Sequence, residues 1–321
     1  MTIKMAPNFF IIGAPKCGTT AMWEYLRTHP QIFMCEPKEP WFLASDFAFS
    51  RDNVTNMHEY LHLFCRAAPC HVIRGEASVL YLASRVAVGQ IARFFPGSRL
   101  LVMLRSPVDV YPSYHRQMLV NHHENELCPQ RAWMLQVARG RGDKIPRGCR
   151  EPQLLQYRTI LSFGSQLEKA LDNYPRQLVH IEFFDDLVTN PRGVYERTLE
   201  FLGLESDGRR TFPRVNERWK IRSLVLWRLL HYRRVPLPLR KVGRFFCLHH
   251  LHRLIYWNLV TTHDRKKEPL PDHFRAELLE AFRDEILLLQ ELTGRDLSHW
   301  LELKLINSPS CQSERGNMVD A

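Results

Sequence analysis

The sequence predicts an α/β fold with a mostly parallel central sheet flanked by helices, followed by a helical C-terminal third. Three observations support it. Short apolar runs alternate with segments of helical periodicity along the first two thirds of the chain. The runs are continuously apolar, which is typical of strands buried on both faces of a sheet. No internal repeat is visible in the 321 residues, so we expect one large domain.

The strand and helix signals follow one another in order. The first predicted strand covers residues 9–12, and the helix after it begins at Thr19 and ends before Pro30. Later signals predict strands at 71–75, 99–104 and 178–184, and helices at 85–95, from Pro107, over 153–174 and at 191–202. Residues 121–152 are rich in Arg, His, Gly and Pro and predict a loop or loosely ordered lid. From residue 216 onward we expect helices.

A tight loop joins the first predicted strand to the first predicted helix. Residues 13–20, the phosphate loop, read Gly-Ala-Pro-Lys-Cys-Gly-Thr-Thr. Backbone N–H groups at a helix N-terminus attract an anion, and a lysine and two hydroxyls strengthen that attraction. The fold is therefore predicted to contain a P-loop. The residues expected to bind a phosphate are Pro15, Lys16, Cys17, Gly18, Thr19 and Thr20.

The position of the lysine separates this loop from that of nucleotide hydrolases and kinases. In G-x-x-x-x-G-K-[ST] the lysine directly follows the second glycine. Here Gly13 and Gly18 keep the glycine separation, but Lys16 lies inside the loop and Thr19 follows the second glycine. This argues against ATP chemistry. A kinase remains an alternative, and so does an ordinary strand-to-helix turn without a ligand.

A second anion site is predicted after the strand at 99–104. Arg105 stands at the carboxyl end of that strand, the edge where open α/β sheets bind ligands. A guanidinium there can hold a phosphate through two hydrogen bonds, and Ser113, two helical turns later, can add a hydroxyl. The alternative is an Arg105 ion pair at the sheet edge, with Ser113 as an ordinary helix residue.

Together, the two segments resemble the sulfotransferases that use 3′-phosphoadenosine 5′-phosphosulfate (PAPS). In layout the chain is similar to heparan sulfate sulfotransferases and their bacterial single-domain relatives, over about residues 8–204 and more weakly over 288–300. The resemblance implies that Lys16 reaches the 5′-phosphosulfate and that Arg105 and Ser113 bind the 3′-phosphate. It also implies a single sulfotransferase domain over residues 1–306, followed by a tail at 307–321 that we expect to be disordered.

The resemblance also implies a catalytic base. Residues 35–42 read Cys-Glu-Pro-Lys-Glu-Pro-Trp-Phe, where this family has a Lys-Glu pair ahead of aromatic residues. By this match Glu39 is the base, and Lys16 stabilises the charge on the leaving phosphate. Glu36 is the competing carboxylate. Many relatives have histidine where this chain has Trp41, which puts in doubt any proton-handling role at that position. A solvent-exposed loop without a role is the alternative.

Other site residues rest on softer matches. Trp41, Glu76 and Ser78 fall where relatives contact an acceptor or cofactor, so we predict them in the acceptor cleft. Relatives also close a basic, glycine-bearing loop over the 3′-phosphate. Arg265 and Lys266 are the candidates for that role here, although no glycine accompanies them.

The charge balance fits an anionic ligand. Forty-four Lys and Arg residues against 34 Asp and Glu residues give a net charge of +10, although a generic basic surface would give the same value. Residues 218–253 combine Arg and Lys with aromatic residues. This segment suits a polysaccharide acceptor, an acidic membrane surface or an amphipathic helix pair on the core, and we favour the last. No nucleic-acid-binding module is recognisable, so no nucleic-acid partner is expected.

Cysteine usage and hydropathy predict a cellular location. No stretch resembles a signal peptide or membrane span, so we expect a cytoplasmic protein without a transmembrane segment. The eight cysteines show no C-x-x-C pairing and are expected to be mostly reduced, with a Cys65–Cys70 or Cys128–Cys149 disulfide as the alternative. No metal-ligand pattern is visible, so no metal is expected.

The resemblance thus implies sulfuryl transfer from PAPS to a hydroxyl, or less readily an amine, with release of adenosine 3′,5′-bisphosphate. We favour a small molecule or metabolite as acceptor, and a heparan-like glycan is the first alternative. Remoter alternatives are a P-loop kinase and a non-catalytic nucleotide- or membrane-binding module, whose binding would be indifferent to Glu39. The sequence carries no signal for the oligomeric state.

Overall fold

A five-stranded parallel sheet forms the centre of the molecule. The computed structural model describes residues 6–48, 54–215, 219–221, 261–263 and 270–303. The strand order is β2-β3-β1-β4-β5. The strands are β1 (Phe9–Gly13), β2 (Ile32–Met34), β3 (Ile73–Ala77), β4 (Arg99–Leu104) and β5 (Val179–Phe183). The predicted α/β fold with a parallel sheet is confirmed.

Helices connect the strands and cover the sheet. The first four are α1 (Thr19–Leu26), α2 (Met57–His62), α3 (Ala87–Phe94) and α4 (Pro107–Val120). The next six are α5 (Pro129–Met134), α6 (Gln136–Gly140), α7 (Tyr157–Leu161), α8 (Phe163–Asn173), α9 (Phe184–Thr189) and α10 (Pro191–Phe201). The C-terminal helices are α11 (Asp272–Thr293) and α12 (Ser298–Leu301), which confirm that the end of the fold is helical.

The apolar runs form strands because both faces of the sheet are covered. All five residues of β1 are buried, and in β4 only Arg99 keeps partial exposure. Turn and cap residues end these elements: Pro107 opens α4 at its first turn, and Gly294 ends α11 with a left-handed conformation at φ 65°.

The strand order determines where the site lies. β1 is the middle strand, with β3 on one side and β4 on the other, and all three run parallel. Their carboxyl ends therefore share one edge, so the segments after Gly13, Ala77 and Leu104 meet there. β2 pairs with β3 and ends at Met34, which brings residues 35–43 to the same edge.

Two segments differ from the sequence-based predictions. Residues 121–152, predicted as a loop or lid, contain α5 and α6 and a wholly buried ion pair in which Arg139 Nη1 lies 2.6 Å from Glu124 Oε2. Tyr157 also donates to this Glu124 carboxylate, so side-chain contacts order a segment that lacks strong periodicity. Beyond residue 216, the antiparallel strands β6 (Trp219–Ile221) and β7 (Thr261–His263) occur where only helices were predicted.

Several predictions fall on residues outside the described ranges. These are Arg265, Lys266, the tail at 307–321 and all of segment 218–253 except the backbone of β6. The single domain over 1–306 therefore stays a prediction. In the described ranges, no helix is long and apolar enough to cross a membrane.

Candidate active site

The phosphate loop lies at the centre of the shared sheet edge. It leaves β1 at Gly13 and enters α1 at Thr19, and Lys16 and Gly18 take left-handed conformations at φ 63° and 90°. A side chain at Gly18 would bring its Cβ to 2.6 Å from Cδ2 of Leu187, so only glycine fits. The resulting turn leaves the first N–H groups of α1 without intrahelical partners, the arrangement that binds anions.

Charged groups from three segments surround the Lys16 amine. Burial lowers the pKa of Lys16, the nearby Glu39 carboxylate opposes that shift, and the cations Arg116, Lys38 and Arg105 lower it further. The site therefore holds more positive charge than its own carboxylate neutralises. An anionic ligand would relieve this repulsion and favour the charged form of the amine.

Arg105 lies at the end of β4, as predicted. Its guanidinium packs 4.5 Å from the ring centroid of Phe184, which fixes its direction. The Arg105 charge also acts on the buried Cys17 thiol, which places it beside the phosphate loop. Within the described chain no carboxylate lies within ion-pair distance of Arg105, so its charge remains available to a ligand. Ser113 is partly buried in the middle of α4.

Glu39 lies in a loop of residues 35–43, the base loop. Its carboxylate accepts hydrogen bonds from Lys38 Nζ at 2.7 Å on Oε1 and from Trp41 Nε1 at 3.1 Å on Oε2. A quarter of the side chain stays exposed, so Glu39 can reach an acceptor. The competing carboxylate, Glu36, is 63 % exposed and pairs with Arg27 at 3.3 Å. The geometry therefore favours Glu39 as the carboxylate that acts beside Lys16.

The predicted cleft residues separate into two groups. Trp41 lies on the base loop with Glu39, whereas Glu76 and Ser78 are fully buried beneath that loop. Contact between Glu76 or Ser78 and an acceptor stays a prediction, since neither side chain exposes surface in this structure. The predicted roles of the other site residues in donor binding and catalysis also stay predictions, and the structure gives their positions.

Three site residues were not predicted. Gln117 accepts a hydrogen bond from Lys16 Nζ at 3.3 Å, Lys38 pairs with Glu39, and Phe184 packs against Arg105. Helical spacing could have revealed Gln117, since it lies one turn beyond Ser113 on α4. Lys38 belongs to the Lys-Glu pair noted in the sequence, which gave it no role of its own, and Phe184 carries no comparable signal.

The cysteines and potential metal ligands of the described ranges form neither a disulfide nor a metal cluster. Cys17, Cys35, Cys65, Cys70, Cys128 and Cys149 are free, so neither alternative disulfide is formed. Burial raises the pKa of the Cys17 thiol beside the phosphate loop, which keeps it protonated. In the described ranges no group of three or more His, Cys, Asp or Glu side chains is arranged to hold a metal ion.

A family model and a solved structure both assign this chain to the same family. The family model described as the sulfotransferase domain matches residues 6–223. The crystal structure of a sulfotransferase from Alicyclobacillus acidocaldarius superposes with a TM-score of 0.67 at 25 % identity. That similarity covers 92 % of this chain and 99 % of the bacterial chain.

Two human proteins are similar to parts of this chain. The bifunctional heparan sulfate N-deacetylase/N-sulfotransferase 3 of Homo sapiens is 28 % identical over 210 residues, 63 % of this chain and 23 % of that protein. Carbohydrate sulfotransferase 15 of Homo sapiens is 31 % identical over 153 residues, 35 % of this chain and 27 % of that protein. The chain thus matches about a quarter of the length of these curated relatives.

Proposed function

Because this chain belongs to the sulfotransferase family, as its motifs predicted, we propose that it transfers a sulfuryl group from PAPS to an acceptor hydroxyl. One observation carries the proposal. Lys16, Arg105 and Glu39 converge on one sheet edge, so two cations and one carboxylate surround the phosphate loop. This is the set that in-line sulfuryl transfer requires: charge for the leaving phosphate and a base for the attacking hydroxyl.

The site fits a donor with separate anionic groups. The left-handed turn at Gly18 exposes the first N–H groups of α1 to an anion. Burial and the cations Arg116, Lys38 and Arg105 lower the pKa of Lys16, and Arg105 has no carboxylate partner in the described ranges. Lys16 and the phosphate loop would hold the 5′-phosphosulfate, while Arg105 and Ser113 would hold the 3′-phosphate. PAPS itself supplies an activated sulfuryl group on a phosphate leaving group.

The proposed reaction assigns one role to each side chain. Glu39 takes the proton of the acceptor hydroxyl, whose oxygen forms the new bond to sulfur as the bond from sulfur to the bridging phosphate oxygen breaks. Lys16 neutralises the charge that develops on that bridging oxygen, and adenosine 3′,5′-bisphosphate leaves. The proton stays on Glu39 until solvent removes it, so atoms and charges balance.

The contacts of Glu39 define how an acceptor must enter. Lys38 and Trp41 each occupy one carboxylate oxygen and thereby hold the carboxylate plane. Each oxygen keeps a second lone pair, so the acceptor hydroxyl can donate to Glu39 without displacing either neighbour. These contacts select one approach direction, on the exposed side of the carboxylate.

The acceptor class has two candidates. The sequence favours a small molecule or metabolite. One observation favours a glycan as acceptor: the relatives include proteins named heparan sulfate and carbohydrate sulfotransferases. The cytoplasmic location inferred from the sequence remains a proposal and would suit the first candidate.

Calorimetric titration tests the proposed donor. The purified chain is titrated with adenosine 3′,5′-bisphosphate, 5′-AMP and ATP without magnesium. We expect clear preference for the bisphosphate, since only it carries a phosphate for Arg105. ATP binding that requires magnesium, with turnover, would instead support a kinase. Equal binding of all three without any turnover would support a nucleotide-binding module.

Turnover with PAPS then separates the acceptors. Radiolabelled PAPS is incubated with desulfated heparan, desulfated chondroitin and a panel of small alcohols and phenols. Label transferred to polymer supports the glycan proposal, and label transferred only to small alcohols or phenols supports the metabolite proposal. Label on an amine in place of a hydroxyl would correct the acceptor group while retaining the donor.

A further inference from the structure

A wholly buried carboxylate lies beneath the base loop. Glu76 is the fourth residue of β3, opposite Phe10 of the central strand, and has no exposed surface. Burying a carboxyl group is costly unless polar neighbours compensate. The proposed reaction uses Glu39 as base and leaves Glu76 without a role. A buried acid one strand away from the phosphate loop therefore needs an explanation.

Three hydroxyl groups surround Glu76. Tyr60 donates to its Oε2 at 3.0 Å, and hydrogen bonds from Tyr81, Tyr60 and Ser78 lower its pKa. Burial outweighs them and raises the pKa of Glu76 to about 7, with a smaller contribution from the Glu39 charge. Neither Tyr81 nor Ser78 makes a well-aligned hydrogen bond to Oε1, which has no other partner in the described ranges.

Two of these hydroxyls also hold the base loop. Ser78 Oγ accepts from the Trp41 N–H at 3.1 Å, and the Tyr81 hydroxyl oxygen accepts from the Leu43 N–H at 3.1 Å. A hydroxyl has a single proton. Since each oxygen already accepts from the loop, its proton is free to point toward Glu76. Both hydroxyls lower the pKa of Glu76, so they lie close to its carboxyl group, and its oxygens favour the orientation in which both hydroxyls accept from the loop amides.

The base loop needs such support because its backbone is strained. Glu39 and Trp41 have φ angles of 64° and 53°, in the left-handed region that large side chains rarely adopt. Conformations of this kind persist when neighbouring groups hold them. The Trp41 N–H bound to Ser78 belongs to one of the two strained residues, and the Leu43 N–H lies two residues later. The hydroxyl pair thus fixes the part of the loop that orients Glu39.

We propose that Glu76 is a positioning residue for sulfuryl transfer, acting through Ser78 and Tyr81 to hold the base loop so that Glu39 meets the acceptor. This proposal rests on the proposed function, because it assigns Glu76 a role in the reaction of Glu39. Glu76 does not touch the reacting atoms. Its effect is on turnover, since in the described ranges no hydrogen bond joins the Ser78 and Tyr81 hydroxyls to the phosphate loop or to the Arg105 side chain.

The test compares Glu76→Gln and Tyr81→Phe with a matched control. Tyr174 also donates a buried hydrogen bond, to Ser98 O at 2.8 Å, but lies away from the base loop. Tyr174→Phe therefore loses a buried hydroxyl without touching the loop. For all variants kcat and KM are measured with PAPS and an established acceptor, together with the bisphosphate Kd and the thermal midpoint.

We expect kcat to fall about 10- to 100-fold in Glu76→Gln and Tyr81→Phe, because a small displacement of the catalytic group Glu39 slows the reaction. The bisphosphate Kd should stay within about twofold, since the donor site is intact. The double variant should lose little more than either single variant, because the two residues act as one unit. Tyr174→Phe should lower the thermal midpoint but leave kcat unchanged.

Several results would overturn the proposal. These are an unchanged kcat in both variants, equal losses of kcat in Tyr174→Phe, or fully additive losses in the double variant. If Glu76→Gln does not fold, Ser78→Ala and Tyr81→Phe decide in its place. Failure of the proposed function is distinguishable: the unsubstituted chain would then not prefer the bisphosphate or transfer sulfuryl groups at all.

Discussion

The phosphate loop and the base loop meet at one sheet edge but are held in different ways. The phosphate loop is fixed by backbone: a buried strand, a glycine turn and a helix N-terminus follow within eleven residues, from Phe9 to Thr19. The base loop has no regular structure, and two side chains from the segment after β3 hold it by its amides. One side of the site is therefore built locally, and the other depends on distant buried groups.

This difference determines which substitutions the phosphate loop and the base loop can each tolerate. A phosphate loop formed by backbone groups tolerates most side-chain substitutions. A loop held by a few hydroxyl groups loses its position when one of those hydroxyl groups is removed. We therefore expect donor binding to depend on few side chains besides Arg105, and turnover to be sensitive to changes around the base loop. Four substitutions test this expectation.

The largest effect is expected for Glu39→Gln. Loss of the proposed base should lower kcat by about 10³-fold while the bisphosphate Kd changes less than about twofold. Steady-state kinetics and calorimetry measure the two quantities. Glu36→Gln is the matched control, because it alters an exposed carboxylate of the same loop and should leave both unchanged. Near-normal turnover in Glu39→Gln would remove Glu39 from the role of base.

Glu76 makes the stability of the chain depend on pH. Its pKa rises from 4.5 to about 7 on folding, so the folded state favours the protonated acid. The stability this provides is full below pH 4.5 and is lost as pH rises through 7. Between pH 5 and 8 we expect a loss of about 2–3 kcal/mol that Glu76→Gln does not show.

Urea unfolding of both proteins at pH 5 and pH 8 measures this difference. The pKa values of Tyr60, Tyr81 and Cys35 are raised well above their usual values by burial, so these neighbours do not titrate in that range. Comparison with Glu76→Gln cancels the titration of groups that the substitution does not affect. The same pH dependence in both proteins would mean that Glu76 is ionised alike in the folded and unfolded chain.

Arg105→Ala tests the donor-binding side of the site. We expect the bisphosphate Kd to rise about 10- to 100-fold, from the loss of charge-assisted hydrogen bonds to one phosphate. Binding of 5′-AMP, which lacks the 3′-phosphate, should hardly change. Arg192→Ala controls for loss of positive charge, since Arg192 forms an exposed ion pair on α10. Equal weakening of both nucleotides would assign Arg105 to the 5′-phosphosulfate side.

The two sides also differ in how far the sequence predicted them. Lys16, Gly18 and Arg105 were identified because strand ends and helix starts are local patterns, and parallel pairing brings them to one edge. The two contacts that hold the base loop join residues separated by 37 and 38 positions in the sequence. Lys16 and Gln117 are separated by 101 positions. Such contacts arise from tertiary packing, which single-sequence patterns do not record.

Burial explains the other differences between sequence and structure. Glu76 was predicted in the acceptor cleft, yet it lies within β3 and the fold buries it completely. Similarly, the ion pair of Glu124 and Arg139 orders a segment whose composition predicted a loop. In both cases the sequence shows a polar side chain, and only the fold shows that it is buried and paired.

The smallest effect is expected for Trp41→Phe, which separates the two ways of holding Glu39. This change removes the indole N–H that donates to Glu39 Oε2 but keeps an aromatic ring and the strained backbone. We expect kcat to fall about three- to tenfold, as for one hydrogen bond to a charged group. Trp23→Phe is the matched control, because its buried indole N–H has no partner in the described chain. A loss as large as that of Glu76→Gln would mean that the indole, rather than the hydroxyls beneath the loop, orients the base.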